Sequence, residues 1–194
     1  VCSSDLFHKA NQSRAELWPH AMLASSTHDT KRSEDVRARL NVLSEMPERW
    51  EAALQRWTRL NADKKTLVEG AAAPDRNEEY LLYQTLIGAW PDGPMGADAV
   101  PAFRDRVVAY MEKATREAKV HTSWVNPNQA YDAAVRDFAS RLLPDDPNDP
   151  FLADLAEFLR PIVFFGRINS LSQTLLKLAC PGVPDFYQGT ELWS

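Results

Sequence analysis

The sequence predicts a mainly α-helical fold with two short strands. Apolar residues recur three or four positions apart over much of the 194-residue chain, which is the spacing of amphipathic helices. The 13 prolines lie between these stretches, as residues that start and end helices do, and glycine is scarce at 7. With 44% hydrophobic and 25% charged residues, the composition is that of a globular protein and excludes disordered and collagen-like classes.

Five helices are predicted between residues 33 and 143. Ser33 is the expected N-cap of the first, Pro47 begins the second, and the third starts near Glu78. The fifth is expected to start at Asn126-Pro127, a capping side chain followed by a first-turn proline. The predicted apolar faces are, in chain order, Val36, Leu40 and Leu43; Trp50, Leu54 and Trp57; Tyr80, Tyr83, Ile87 and Trp90; Phe103, Val107, Tyr110 and Ala114; Tyr131, Val135, Phe138 and Leu142.

The C-terminal quarter begins with a turn-rich linker at residues 144–150. A further helix is predicted over residues 151–159, and Pro161 is expected to kink or break it because proline lacks a backbone N–H. Residues 166–178 form the last predicted helix.

Two short apolar runs, residues 21–26 and 183–187, lie outside the predicted helices. Both fit buried parallel strands, although runs this short do not distinguish a strand from a buried helix. Two such strands cannot close a sheet, so we expect the rest of the sheet to lie outside this chain. The chain does not begin with Met, which also favours a fragment, and we set residues 1–6 apart as a candidate non-native start.

Composition and motifs also exclude several function classes. A net charge of −5 without a basic stripe argues against a nucleic-acid partner, and no apolar stretch reaches the ~20 residues of a membrane span. The two cysteines lie far apart, and no signal peptide is visible, so we expect a cytoplasmic protein. Metal-ligand spacings, phosphate-binding loops and Gly-x-Ser-x-Gly are missing from the sequence, and neither a metal nor a cofactor is predicted.

The densest polar cluster is residues 25–32, directly after the first apolar run. If that run is a barrel strand, His28 and Asp29 stand at its carboxyl end, where catalytic groups of such barrels lie. The imidazole would bind hydroxyl groups and the carboxylate would face developing positive charge. The alternative is an ordinary loop before a helix, in which Asp29 complements the helix dipole, and both interpretations stay open at this point.

Two further clusters could contact a sugar. Tyr187, Gln188, Glu191 and Trp193 combine flat aromatic faces with amide and carboxylate groups, and the alternative is a chain end with core aromatics. His121 and Trp124 lie between two predicted helices, where a tryptophan more commonly covers a helix end.

Five segments together resemble the maltooligosyltrehalose synthase family of the α-amylase superfamily. The Thr-His-Asp of the first segment alone would indicate only the superfamily, whereas its continuation Thr-Lys-Arg and the ending DFYQGTELW are specific to the family. The segments are STHDTKRSEDVRARL at 26–40, LYQTLIGAWP at 82–91, EAKVHTSW at 117–124, NSLSQTLLKL at 169–178 and PGVPDFYQGTELW at 181–193.

The resemblance implies a fragment of a (β/α)8 barrel. Residues 7–32 would hold a loop, the seventh strand and a catalytic loop, residues 33–143 a helical insertion, and residues 144–194 helices that lead to the eighth strand. Asp29 would be the carboxylate that stabilises the transition state. The nucleophilic Asp and the acid/base Glu of the family would lie in the N-terminal part of the barrel, outside this chain. The implied substrate-binding residues are His28, Thr30, Lys31, Arg32, His121, Trp124, Tyr187, Gln188 and Glu191.

The implied activity is an intramolecular transglucosylation, which converts the reducing-end α-1,4 bond of a maltooligosaccharide into an α,α-1,1 bond in trehalose biosynthesis. This fragment alone is expected to be inactive. Two alternatives stay open: a retaining α-amylase-type hydrolase that uses water as acceptor, and a helical interaction module without a catalytic site.

Overall fold

The computed structural model describes residues 3–93, 99–146, 148–189 and 193. Most of these residues are helical, which confirms the prediction of a mainly α fold. The chain divides into two compact units, one made of residues 1–42 and 163–194 and the other of residues 43–162. The elements are α1 (Ser3–Leu17), β1 (Met22–Ala24), α2 (Glu34–Val42), α3 (Pro47–Leu60), β2 (Thr66–Val68), β3 (Ala71–Ala73), α4 (Arg76–Ala89), α5 (Ala99–Ala118), α6 (Gln129–Arg141), α7 (Pro150–Ala179) and β4 (Val183–Asp185).

The unit of residues 43–162 has an aromatic core centred on Trp57. This side chain is fully buried, and its ring centroid lies 5.3 Å from Tyr83 and from Phe158. Trp50 and Phe151 complete the cluster at 5.7 Å each. The apolar faces predicted for the second and third helices therefore contribute to one core, as their spacing indicated.

Side chains cap the helices of this unit where the chain leaves an extended conformation. Asp75 accepts the Glu78 N–H at 2.8 Å and begins α4. The predicted start of α6 at Asn126-Pro127 is wrong by two residues, because Asn128 is the cap and accepts the Tyr131 N–H at 3.1 Å. The Asn126 carbonyl instead accepts the Ser123 N–H within a turn.

A β-hairpin lies where only helices were expected. Strands β2 and β3 pair antiparallel, with Leu67 opposite Ala72. The two turn residues, Glu69 and Gly70, have positive φ values of 52° and 84°, the conformation that two-residue hairpins prefer. The strands have only three residues each, and this is too short to show an alternating pattern in the sequence.

A kink or a break was expected at Pro161, and the break does not occur, since α7 runs as one helix from Pro150 to Ala179. A proline inside a helix costs about 3 kcal/mol. Phe158, Leu159 and Ile162 around it are buried, and their packing offsets that cost. At the other end of the chain, residues 3–17 form α1, although the segment from residue 7 was expected to start as a loop. Along the described residues, none of the helices is both long and apolar enough to cross a membrane.

The other unit contains the two predicted strands. They are parallel, as predicted, and pair with Ala24 opposite Asp185. Their outer side chains are not buried, however: Met22 is 68% exposed and Val183 is 46% exposed. In the same unit α2 packs closely on the C-terminal part of α7, because Gly166 lacks a side chain where a Cβ would lie 3.0 Å from the Arg39 side chain.

Candidate active site

A tight turn follows β1 and carries His28 and Asp29. Thr30 closes this one-turn 3₁₀ segment, since its hydroxyl donates to the Thr27 carbonyl at 2.8 Å and accepts the Thr27 N–H. Lys31 then adopts a left-handed φ of 61°, which redirects the chain into the loop before α2. The turn thus presents two consecutive polar side chains to solvent.

The Asp29 carboxylate is held by its own neighbours rather than by a helix N-terminus. Its Oδ1 lies 3.2 Å from His28 Nδ1 and 3.5 Å from Lys31 Nζ, and the side chain is 83% exposed. The hydrogen bond and charge of His28, followed by those of Lys31, hold the pKa of this carboxyl below its ordinary value. Asp29 is therefore an exposed, ionised carboxylate at neutral pH.

A different residue, Ser33, caps α2: its Oγ accepts the Val36 N–H at 3.5 Å. The alternative interpretation, in which Asp29 serves the front of this helix, is not favoured by these contacts. Of the other two residues predicted in this loop, Thr30 and Arg32 are half-buried, and the Arg32 carbonyl accepts a hydrogen bond from the Thr30 hydroxyl.

The second candidate loop leaves β4 at the same edge of the two-stranded sheet. Because the strands are parallel and Ala24 lies opposite Asp185, their carboxyl ends lie side by side. Tyr187 is half-buried and Gln188 is exposed, while Glu191 lies outside the described residues. Trp193, considered above as a sugar platform, has its ring 4.9 Å from the Arg39 guanidinium.

A buried lysine, which was not predicted from the sequence, connects these two strand ends. Lys177 on α7 donates to Ser25 Oγ at 2.7 Å, to Glu34 Oε1 at 2.5 Å and to the Asp185 carbonyl at 3.0 Å. Ser25 also donates to Glu34. The only sequence signal was a lysine in an otherwise apolar stretch of helix, LLKLA at 175–179.

In the unit of residues 43–162, His121 belongs to a compact polar network. Its Nε2 lies 2.9 Å from Asp75 Oδ2, and its ring stacks on Tyr131 with centroids 4.5 Å apart. The Tyr131 hydroxyl donates to Glu78 and accepts the Asp75 N–H. Burial raises the pKa of Glu78, although the hydrogen bond from Tyr131 opposes this. The network joins the loop after α5 to the start of α4.

The same network contains the one group of described residues whose geometry could hold a metal ion. Ligand atoms of Asp75, Glu78 and His121 lie within 4.8 Å of one another. Asp75 and His121 are bonded to each other, and Glu78 is bonded to the Tyr131 hydroxyl, so a cation would have to replace these hydrogen bonds. We therefore interpret the group as a structural network.

Trp124 remains accessible, with 57% of the residue exposed and the Arg116 guanidinium 4.7 Å from its ring centroid. Whether His121 or Trp124 contacts a sugar stays a prediction.

Comparison with known proteins supports the resemblance noted in the motifs. No family model matches the chain. Over 187 residues, 96% of its length, it is 39% identical to a curated Mycobacterium tuberculosis protein that carries the name maltooligosyl trehalose synthase, and it covers 22% of that protein. A crystal structure of maltooligosyl trehalose synthase is 37% identical with a TM-score of 0.81, and the chain covers 24% of it. The enzyme from Arthrobacter ramosus is 34% identical with a TM-score of 0.79, and 23% of it is covered. The predicted resemblance is thus confirmed, and the chain spans about a quarter of these relatives.

Proposed function

Because the chain matches a segment of maltooligosyl trehalose synthases, we propose that it forms part of an enzyme that converts the reducing-end α-1,4 bond of a maltooligosaccharide into an α,α-1,1 bond. In this proposal β1 and β4 are the seventh and eighth strands of a (β/α)8 barrel. Residues 7–32 carry the catalytic loop, residues 33–143 form the insertion, and residues 144–194 lead to the eighth strand. The side-by-side parallel pairing of β1 and β4 supports this assignment.

The observation that carries the proposal is the exposed, ionised carboxylate of Asp29 at the end of a parallel strand. In retaining glycosidase chemistry the acid protonates the glycosidic oxygen, the nucleophile traps the sugar covalently, and positive charge develops near the ring oxygen. A fixed carboxylate stabilises that charge more in the transition state than in the ground state. The hydrogen bond and charge of His28 lower the pKa of Asp29 and so favour its charged form.

The proposed reaction also needs an enclosed glucose site. The released glucose must turn and attack through its anomeric hydroxyl before water does, so solvent has to be excluded and the hydroxyl groups need partners. We assign this enclosure to the loop of Thr30, Lys31 and Arg32 and to the Tyr187 loop. His121 and Trp124, in the unit of residues 43–162, are proposed as further substrate-binding residues. The maltooligosaccharide is the proposed partner, together with the N-terminal part of the barrel.

Asp29→Asn in a full-length synthase that contains this segment tests the proposal. Turnover of a maltooligosaccharide is expected to fall by about 1,000-fold, the order found when one preorganised electrostatic group is removed. The melting temperature should stay unchanged, because the side chain is 83% exposed and its ion pairs are with His28 and Lys31 in the same turn. Asp137→Asn is the matched control, since Asp137 is also exposed and forms a local ion pair with Arg141.

Product analysis distinguishes the alternatives. A nonreducing trehalosyl end supports the synthase, whereas only new reducing sugar from the wild-type enzyme would identify a hydrolase. Near-normal turnover of Asp29→Asn would contradict the role of the carboxylate. A wild-type protein that neither binds nor converts maltooligosaccharides would favour the interaction module.

A further inference from the structure

Lys177 is a charged side chain in a buried environment, where an apolar residue would have a smaller desolvation cost. Only 6% of its side chain is exposed, and its ion-pair partner Glu34 is 12% exposed. Replacing a buried ion pair by well-packed apolar groups is commonly neutral or stabilising, so stability alone does not explain this arrangement. What an ammonium group adds is direction, because its three N–H groups point to three separate acceptors.

The three acceptors belong to three separate elements. Ser25 is the first residue after β1, Asp185 is the last residue of β4, and Glu34 is the first residue of α2. One ammonium group therefore joins the carboxyl ends of both parallel strands to the start of the helix that follows the first candidate loop. The ammonium also lies 3.9 Å from the ring centroid of Phe186, which begins the second candidate loop.

Both candidate loops are anchored at this point. Asp29 follows four residues after Ser25, and its loop ends at Glu34, so Lys177 contacts the two ends of the segment that carries the carboxylate. Tyr187 lies two residues after Asp185. A shift of the ammonium group would change the distance between the two strand ends, and the loops that leave them would move apart or together.

We propose that Lys177 is a positioning residue, which sets the relative placement of the Asp29 turn and the Tyr187 loop by bonding Ser25, Glu34 and the Asp185 carbonyl together. This inference rests on the proposed function, since it assigns both loops to one active site. A displacement of about 1 Å in a catalytic group reduces rates on the order of 100-fold. Lys177 therefore acts on the reaction through Asp29 without touching the substrate.

The test compares Lys177→Met, Lys177→Arg and Glu34→Gln in a full-length synthase. Met keeps most of the length of the side chain but removes all three donors, Arg retains the charge, and Gln at position 34 retains an acceptor for Lys177. Lys113→Met is the matched control, because Lys113 is exposed and its ion pair is with Glu117 on the same helix. For each variant the melting temperature, kcat, KM for a maltooligosaccharide, and the ratio of trehalosyl product to released glucose are measured.

For Lys177→Met we expect kcat to fall on the order of 100-fold, because the carboxylate moves relative to the reacting bond, and we expect KM to change less than kcat. The share of released glucose should rise, since a displaced loop admits water. Lys177→Arg should recover most of kcat, and the kcat of Glu34→Gln should lie between those of Lys177→Met and Lys177→Arg. Lys113→Met should have the kcat of the wild type.

A lower melting temperature with unchanged kcat and product ratio in the folded Lys177→Met enzyme would overturn the inference and leave Lys177 a structural residue. If Lys177→Met does not fold, wild-type kcat and product ratio in Glu34→Gln would overturn it as well. Failure of the proposed function is a separate result: the wild-type enzyme itself would then form no trehalosyl product.

Discussion

Phe151→Ala is expected to lower the free energy of unfolding of this chain by about 3–5 kcal/mol. Phe151 is fully buried, with its ring centroid 5.7 Å from Trp57 and 5.8 Å from Tyr83. Its neighbours are themselves large rings fixed by other contacts, so they cannot collapse into the space that the ring leaves. The loss therefore includes both the transfer of the ring to water and the residual cavity. For a chain of this size each kcal/mol lowers Tm by about 2–4 °C.

Thermal unfolding of the wild-type chain and the variant, followed by far-UV circular dichroism, measures this change. A drop in Tm of roughly 6–20 °C is expected. Phe7→Ala is the control, because Phe7 is 42% exposed on α1, a helix without buried residues. Its effect should stay within about 0.5 kcal/mol. Equal shifts for the two variants would refute the placement of the core around Trp57.

Two further predictions concern the backbone and a cap. Gly182→Ala should lower the free energy of unfolding by about 1–3 kcal/mol and disturb the pairing of β1 with β4, because φ is 135° and a Cβ would lie 2.7 Å from the Ala21 carbonyl oxygen. Hydrogen exchange of the β1 amides measures the change, and Gly93→Ala, where the space around a Cβ is open, is the control. Burial raises the pKa of Asp75, but hydrogen bonds from the Glu78 N–H and His121 outweigh it, so the folded pKa is below the ordinary value. The contribution of Asp75 to the free energy of unfolding is therefore complete above its pKa in the unfolded chain, about 3.9, and is lost as the pH falls through its lower pKa in the folded chain. Asp75→Ala should lower the free energy of unfolding by about 1 kcal/mol near neutral pH and by less in acid, as measured by denaturant unfolding across pH. A difference between variant and wild type that does not change with pH would contradict this.

The sequence predicted much of the helical architecture because its signals are local. Pro47 at the start of α3 and the spacing of Trp50 and Trp57 depend only on neighbours in the chain, and both predictions hold in the structure. The polar turn after β1 was predicted as a site for the same reason: a strand followed by His28 and Asp29 is visible in the sequence.

Other features depend on contacts between distant residues, which local patterns cannot show. A proline normally ends a helix, yet α7 continues through Pro161 because residues on both sides are buried in tertiary packing. The hairpin of β2 and β3 depends on the turn at Glu69 and Gly70 and on pairing partners, since three-residue strands carry no periodic signal.

The sequence by itself predicted helices α2 to α6, indicated two short strands, and placed His28 and Asp29 directly after the first of them. Only the tertiary structure decided what surrounds those residues. It engaged His121 with Asp75, 46 residues away in the chain. It also brought Lys177 to Ser25, 152 residues away in the chain. The physical reason is that the three N–H groups of a buried ammonium need acceptors from several elements at once, and only the folded chain brings those acceptors together.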